Sequence, residues 1–199
     1  MKKTAISLIA LLCFALACGA QAQINAGTAD LRFSEQVSNA PPGTCGCFGL
    51  AGVGGDAAWN LFSLGASHRA GLGVAGDLGV VHTGQVNGAD YGLTLTTFTA
   101  GPRVRLPGKR LQTFGQALFG VAHGSGSQFP SGNTLVSSAN SFAMDFGGGV
   151  DYSVNRRFSL RAVQLDYLRT NLPNIVSGWQ NNLRIGVGVT VRFGSATKR

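Results

Sequence analysis

The stretch Asn182-Leu183-Arg184-Ile185-Gly186-Val187-Gly188-Val189-Thr190-Val191-Arg192-Phe193 decides the fold. Leu183, Ile185, Val187, Val189, Val191 and Phe193 share one parity, and Asn182, Arg184, Gly186, Gly188, Thr190 and Arg192 share the other. In an extended strand this period of two puts each set on its own face. The apolar face is unbroken, while the other face carries arginine. A greasy outside around a polar inside fits a membrane barrel better than a soluble sandwich.

Seven earlier stretches repeat the theme. Gly, Pro, Asn and Ser clusters mark the connections and leave strands near 28–37, 47–61, 70–81, 92–106, 111–123, 139–153, 157–169 and 181–193. Connections at 63–69, 107–110 and 154–156 are short, and those at 38–46, 82–91, 124–138 and 170–180 are longer. Short turns at one end and long loops at the other are typical of outer-membrane barrels. With the N-terminus on the periplasmic side, the four longer loops are extracellular, and the Gly/Ser/Asn-rich segment 124–138 is expected to be the mobile one.

Parity assigns lipid-facing sets: Leu72, Val74, Leu78 and Val80 on the third strand; Phe98, Ala100, Val104 and Leu106 on the fourth; Phe142, Met144, Phe146, Val150 and Tyr152 on the sixth. The seventh changes phase, since Phe158 and Leu160 are even but Val163, Leu165 and Tyr167 are odd. A bulge at Ala162–Val163 restores the apolar face. The facing of the fifth strand stays open. Drawn up and down, the strands gather Trp59, Phe62, Phe114, Tyr152, Phe158 and Phe193 at the periplasmic ends. Phe48, Tyr91, Phe142, Tyr167 and Trp179 gather at the outer ends. Two such aromatic girdles mark the interfaces of a bilayer.

The N-terminus explains how such a chain reaches a membrane beyond the cytoplasm. Met1-Lys2-Lys3, an apolar run over 5–17 and Ala20-Gln21-Ala22 read as a signal peptide of residues 1–22, with Gln23 opening a barrel domain over 23–199. The rival reading, a lipoprotein site at Ala17-Cys18, has Ala15 where leucine is expected. No segment has the roughly 18 apolar residues of a membrane helix. Yet 44% of residues are hydrophobic and only 12% are charged, about half the usual share. The formal charge of +8 suggests nucleic acid until the pattern is examined. No basic stripe or binding motif occurs, and arginines alternate with apolar residues inside strands.

The inward faces carry Arg32, Asp56, Asp77, Arg103, Arg105, Asp145, Asp151, Arg161, Gln164, Asp166, Arg184 and Arg192. An eight-stranded barrel is just wide enough to be filled by its own side chains. Charges confined there must pair, so this set reads as an ion-pair network that plugs the barrel. A small-solute porin needs a wider one.

Chemistry elsewhere is sparse. Beyond the leader only Cys45 and Cys47 remain. In an oxidising compartment they close a local disulfide or stay idle thiols, and two soft ligands do not make a metal site. Gly71-Leu72-Gly73-Val74-Ala75-Gly76 matches a nucleotide-binding fingerprint but lies inside a strand and opens no helix. His68 and His82 fall in a turn and a loop. His123 and Ser125 share a face, as in the His-x-Ser pair of some outer-membrane lipid A deacylases, but the only glutamate, Glu35, is tied to neither. No catalytic residue, metal or cofactor is assigned.

Phe146-Gly147-Gly148-Gly149-Val150-Asp151-Tyr152, Arg157-Phe158-Ser159-Leu160-Arg161, Asp166-Tyr167 and Asn182 to Gly188 resemble the small outer-membrane β-barrel family related to the OmpA transmembrane domain. The resemblance is specific over 111–194 and a matter of pattern over 28–106. It implies an all-β, eight-stranded antiparallel up-and-down transmembrane barrel, often without enzymatic activity, in contact with outer-membrane lipid and lipopolysaccharide. It also implies insertion by the outer-membrane assembly machinery. That machinery favours a terminal aromatic, here Phe193, although 194–199 follow it. No peptidoglycan-binding domain follows the barrel, so a wall-anchoring role is not expected.

Overall fold

The computed structural model describes residues 25–38, 47–64, 70–86, 90–174 and 178–193. The leader over 1–22, Cys45 and His68 lie outside the described residues. Eight strands follow one another: β1 (Asn25–Ser38), β2 (Phe48–Leu64), β3 (Ala70–Thr83), β4 (Leu93–Leu106), β5 (Leu111–Ser131), β6 (Thr134–Ser153), β7 (Phe158–Thr170) and β8 (Gln180–Phe193). Each pairs antiparallel with the next, and β1 pairs with β8 to close the barrel. Closure leaves the sheet without edges, which otherwise invite pairing with other chains.

The packing inverts that of a soluble protein. Leu31, Phe33, Leu78, Phe98, Val121, Leu183 and Val187 are each more than half exposed, whereas Arg32, Asp77, Asp145 and Arg161 are each 1% exposed. The three lipid-facing sets read from parity point outward, as does the apolar face of β8, and β5 resolves in the same way. Its odd positions Leu111, Phe119 and Val121 face out, and Phe114, Gln116, Leu118 and Ala122 face in. The phase change on β7 is a bulge: Val150 faces Val163, the next residue Asp151 faces Arg161, and Ala162 is passed over.

Two elements depart from the sequence expectation. The segment 124–138 is not a loop. β5 and β6 continue as a hairpin, pairing Phe129 with Val136 and Ser131 with Thr134 around a two-residue turn, Gly132-Asn133. Gly132 takes φ 59°, a left-handed conformation that glycine adopts without penalty. β4 leaves β5 at Ser125 and β7 leaves β6 at Ala143, so the hairpin is two-stranded beyond them. Pro130 is tolerated there because an edge strand has N–H groups with no ladder partner. His82 likewise lies on β3, hydrogen-bonded through Nδ1 to Thr94 Oγ1 at 3.0 Å, rather than in a loop.

The inside has two layers. Near the longer connections Leu50, Val81, Leu93, Leu95, Ala143 and Leu168 meet in one buried apolar cluster, joined by Phe129 from the hairpin and Leu172 from the β7–β8 connection, with Gln36, Ser38 and Asn182 buried at the same level. The polar layer lies between this cluster and the short turns.

Candidate functional site

Asp56, on β2, is the hub of the polar layer. Arg103 Nη1 donates to its Oδ1 at 2.7 Å, Arg161 Nη1 to its Oδ2 at 2.7 Å, and Arg32 Nη1 to Oδ2 at 3.3 Å. Arg32 reaches onward to Asp77. Arg184 then links Asp77 at 3.2 Å, Asp145 at 2.5 Å and Asp166 at 3.1 Å. Arg161 pairs through Nε with Asp151 at 2.8 Å and through Nη1 with Asp30. Gln164 accepts from Arg161 at 2.7 Å and donates to Asp166 at 2.8 Å. Strands from every part of the barrel wall are thereby tied through its axis. Shared, bidentate partners are the arrangement in which buried charges offset the several kcal/mol that each loses on leaving water.

Three residues are placed differently from expectation. Arg105 donates to Thr28 Oγ1 at 3.1 Å, and Arg192 to Ser153 Oγ at 2.7 Å and to Ser159. Neither has a carboxylate within ion-pair distance among the described residues. Both lie toward the turn end, where the hydroxyl groups of Thr28, Ser153 and Ser159 accept from them. Phe114 belongs to no girdle. It is 6% exposed and faces inward, with the guanidinium carbons of Arg103 and Arg161 each 4.5 Å from its ring centroid. Even parity with Gln116 and Leu118 fixes that direction.

Asp30 and Gln116 belong to the layer and were missed from sequence. Asp30 shares parity with Arg32 on β1. Gln116 accepts from Arg103 Nε at 3.0 Å. The Phe146-Gly147-Gly148-Gly149 run makes room for this layer. A side chain at inward Gly147 would fall on the Asp166 carboxylate, and a Cβ at Gly149 would lie 2.7 Å from the Val163 carbonyl and 2.9 Å from the Phe114 ring.

The other girdle aromatics, except Phe48, stay outside. Trp59 and Phe193 meet edge to face at 6.1 Å, and Phe62, Tyr152 and Phe158 are exposed toward the same, turn end. Tyr91, Phe142, Tyr167 and Trp179 are exposed toward the loop end, where Arg169 lies 4.0 Å from the Trp179 ring. Phe48 turns partly inward against the apolar cluster.

The chemistry weighed from sequence is not assembled. His123 Nδ1 hydrogen-bonds Asn140 Oδ1 at 2.7 Å, and Glu35 is on β1, away from β5. Cys47 is exposed ahead of β2, and its pairing with Cys45 falls outside the described residues. Among the described residues no group of three His, Cys, Asp or Glu could hold a metal.

Residues 6–193 match the family described as outer membrane protein beta-barrel domain. The chain belongs to that family. It is a bacterial outer-membrane protein, and its apolar outer face is the one that meets lipid. Among solved structures, Neisserial surface protein A (NspA) is similar at 13% identity and TM-score 0.60, over 85% of this chain and 99% of that one. Ail, the attachment invasion locus protein of Yersinia pestis, is similar at 15% identity and TM-score 0.57, over 86% of this chain and 100% of that one. At these identities the likeness shows the barrel fold alone. A search of curated protein sequences finds no match.

Proposed function

We propose that the protein is a non-catalytic outer-membrane barrel, closed to solutes, that presents the β5–β6 hairpin and the longer connections to a ligand or neighbouring surface outside the cell. The filled interior carries the reading. Ion pairs centred on Asp56 and Arg184 cross one level of the barrel, and the apolar cluster with Phe129 covers them at the loop end. Water-filled pores line their interior with hydrated charge, whereas here the charges are spent on one another. Export with loss of residues 1–22, insertion by the assembly machinery through a β8 ending on Phe193, and lipopolysaccharide around the outer leaflet belong to the same reading.

The hairpin supports an interactive role. No Asp, Glu, Lys or Arg occurs between Gly124 and Met144. Ser125, Gln128, Thr134, Ser137 and Asn140 offer hydroxyl and amide groups, so binding there would rest on neutral hydrogen bonds and change little with salt. Replacing 124–138 by a two-residue turn is the test. Loss of surface adhesion with the barrel still folded is the expected result, and unchanged adhesion leaves a structural role alone. Mass spectra of lipid A from cells with and without the gene are expected to be identical. A difference abolished by His123→Ala would instead establish a lipid-modifying enzyme.

A further inference from the structure

The short-turn end carries charge that nothing in the barrel uses. The β4–β5 turn holds Lys109 and Arg110, and the β6–β7 turn holds Arg156 and Arg157. Leu111 pairs with Tyr152 and the Ser153 N–H donates to the Arg110 carbonyl at 2.8 Å, so the two turns lie side by side. All four side chains are exposed, and none has an ion-pair partner among the described residues. The Asp30 and Asp151 carboxylates are buried and held by Arg161. The β6–β7 turn is fixed in shape: Asn155 Oδ1 accepts the N–H groups of Arg157 and Phe158, each at 2.8 Å, and the Arg157 carbonyl accepts from the Arg192 N–H at 2.7 Å.

A second feature lies on the lipid face beside this turn. A groove of about 520 Å³ is walled by Tyr152, Leu160, Leu31 and Val189, with Ala162 and Gly188 lining it between them. Ala162 is the residue passed over in the β7 bulge, so a methyl group stands between Leu160 and Val163 on the outward face. Phe158 is the one outward residue separating Leu160 from the turn.

We propose that this arc binds an anionic phospholipid of the periplasmic leaflet, one acyl chain in the groove and the headgroup phosphate against the Arg156–Arg157 turn, with Lys109 and Arg110 beside it. The orientation rests on the reading that the short turns face the periplasm. Guanidinium pairs match phosphate oxygens in geometry, and each basic side chain near an anionic leaflet adds to the attraction. An exposed apolar channel ending at uncompensated cations has the same sequence of chemistry as a phospholipid, tail and then anion.

The test uses the refolded full-length barrel in phosphatidylcholine vesicles containing spin-labelled phosphatidylglycerol or spin-labelled phosphatidylcholine, with the motionally restricted lipid counted. The wild type is expected to prefer phosphatidylglycerol by roughly fivefold or more. A variant with Lys109, Arg110, Arg156 and Arg157 all changed to Gln should lose that preference. Ala162→Phe, which fills the groove and leaves every charge in place, should lower it severalfold. Heat-modifiable migration verifies that each variant has folded. Glycerol phosphate, the headgroup without chains, should not displace the labelled lipid. Equal preference in wild type and the charge variant would overturn the proposal. So would a preference that Ala162→Phe leaves intact, because the attraction would then be diffuse and not a site.

Discussion

Arg161 joins Asp30, Asp56 and Asp151 while 1% exposed, as Arg184 joins three other carboxylates. Arg161→Ala leaves three carboxylates short of a partner and is expected to cost about 3–5 kcal/mol in urea unfolding from vesicles. Gly149→Ala tests the crowding beside it. A methyl group against the Phe114 ring should destabilise the barrel by about 1–3 kcal/mol, and Phe114→Leu in the same chain should recover part of the loss. Most of this layer was legible because parity alone sorts Arg32, Asp56, Arg103, Arg161 and Arg184 to one face. Asp30 has the same parity as Arg32 on β1. Phe114 went to the lipid because it is aromatic and near a strand end, and a ring that faces two guanidinium groups carries no one-dimensional signature. Nor does parity say which charge meets which, so the hydroxyl partners of Arg105 and Arg192 could be seen only in three dimensions.

At the scale of the element, the eighth strand read from sequence as it stands in the barrel, because one face is wholly apolar and a one-residue slip would turn Arg184 and Arg192 to lipid. Val187→Arg puts that charge there deliberately and should cost about 2–4 kcal/mol near the bilayer midplane, measured by the same unfolding titration. The β5–β6 hairpin was the hardest element to read. Glycine, serine and asparagine are turn formers, and their density hid the pairing of Phe129 with Val136 across a Gly132-Asn133 turn. Gly132→Val forces a branched residue into φ 59° and should open the hairpin tip to limited proteolysis without unfolding the barrel. The apolar layer was also missed: Leu50, Val81, Leu95 and Leu168 point inward, but single apolar residues at strand ends do not declare which layer they fill.

For the whole molecule, strand number, closure and an ion-paired interior support the proposal that the barrel spans the outer membrane without opening a path across it. A closed barrel with lipid outside has room for a core only inside its own wall. That interior holds an ion-paired layer and, toward the loops, an apolar cluster beside Gln36, Ser38 and Asn182, and on the proposed reading a water path would have to disrupt both. The measurement that tests this most directly is the current through planar bilayers containing the purified, folded protein. No stable, ion-selective conductance should appear, in the wild type or after the hairpin tip is removed. A steady wild-type conductance whose ion selectivity changes on Arg161→Ala would show that the charges line a pore, and the closed barrel would be contradicted.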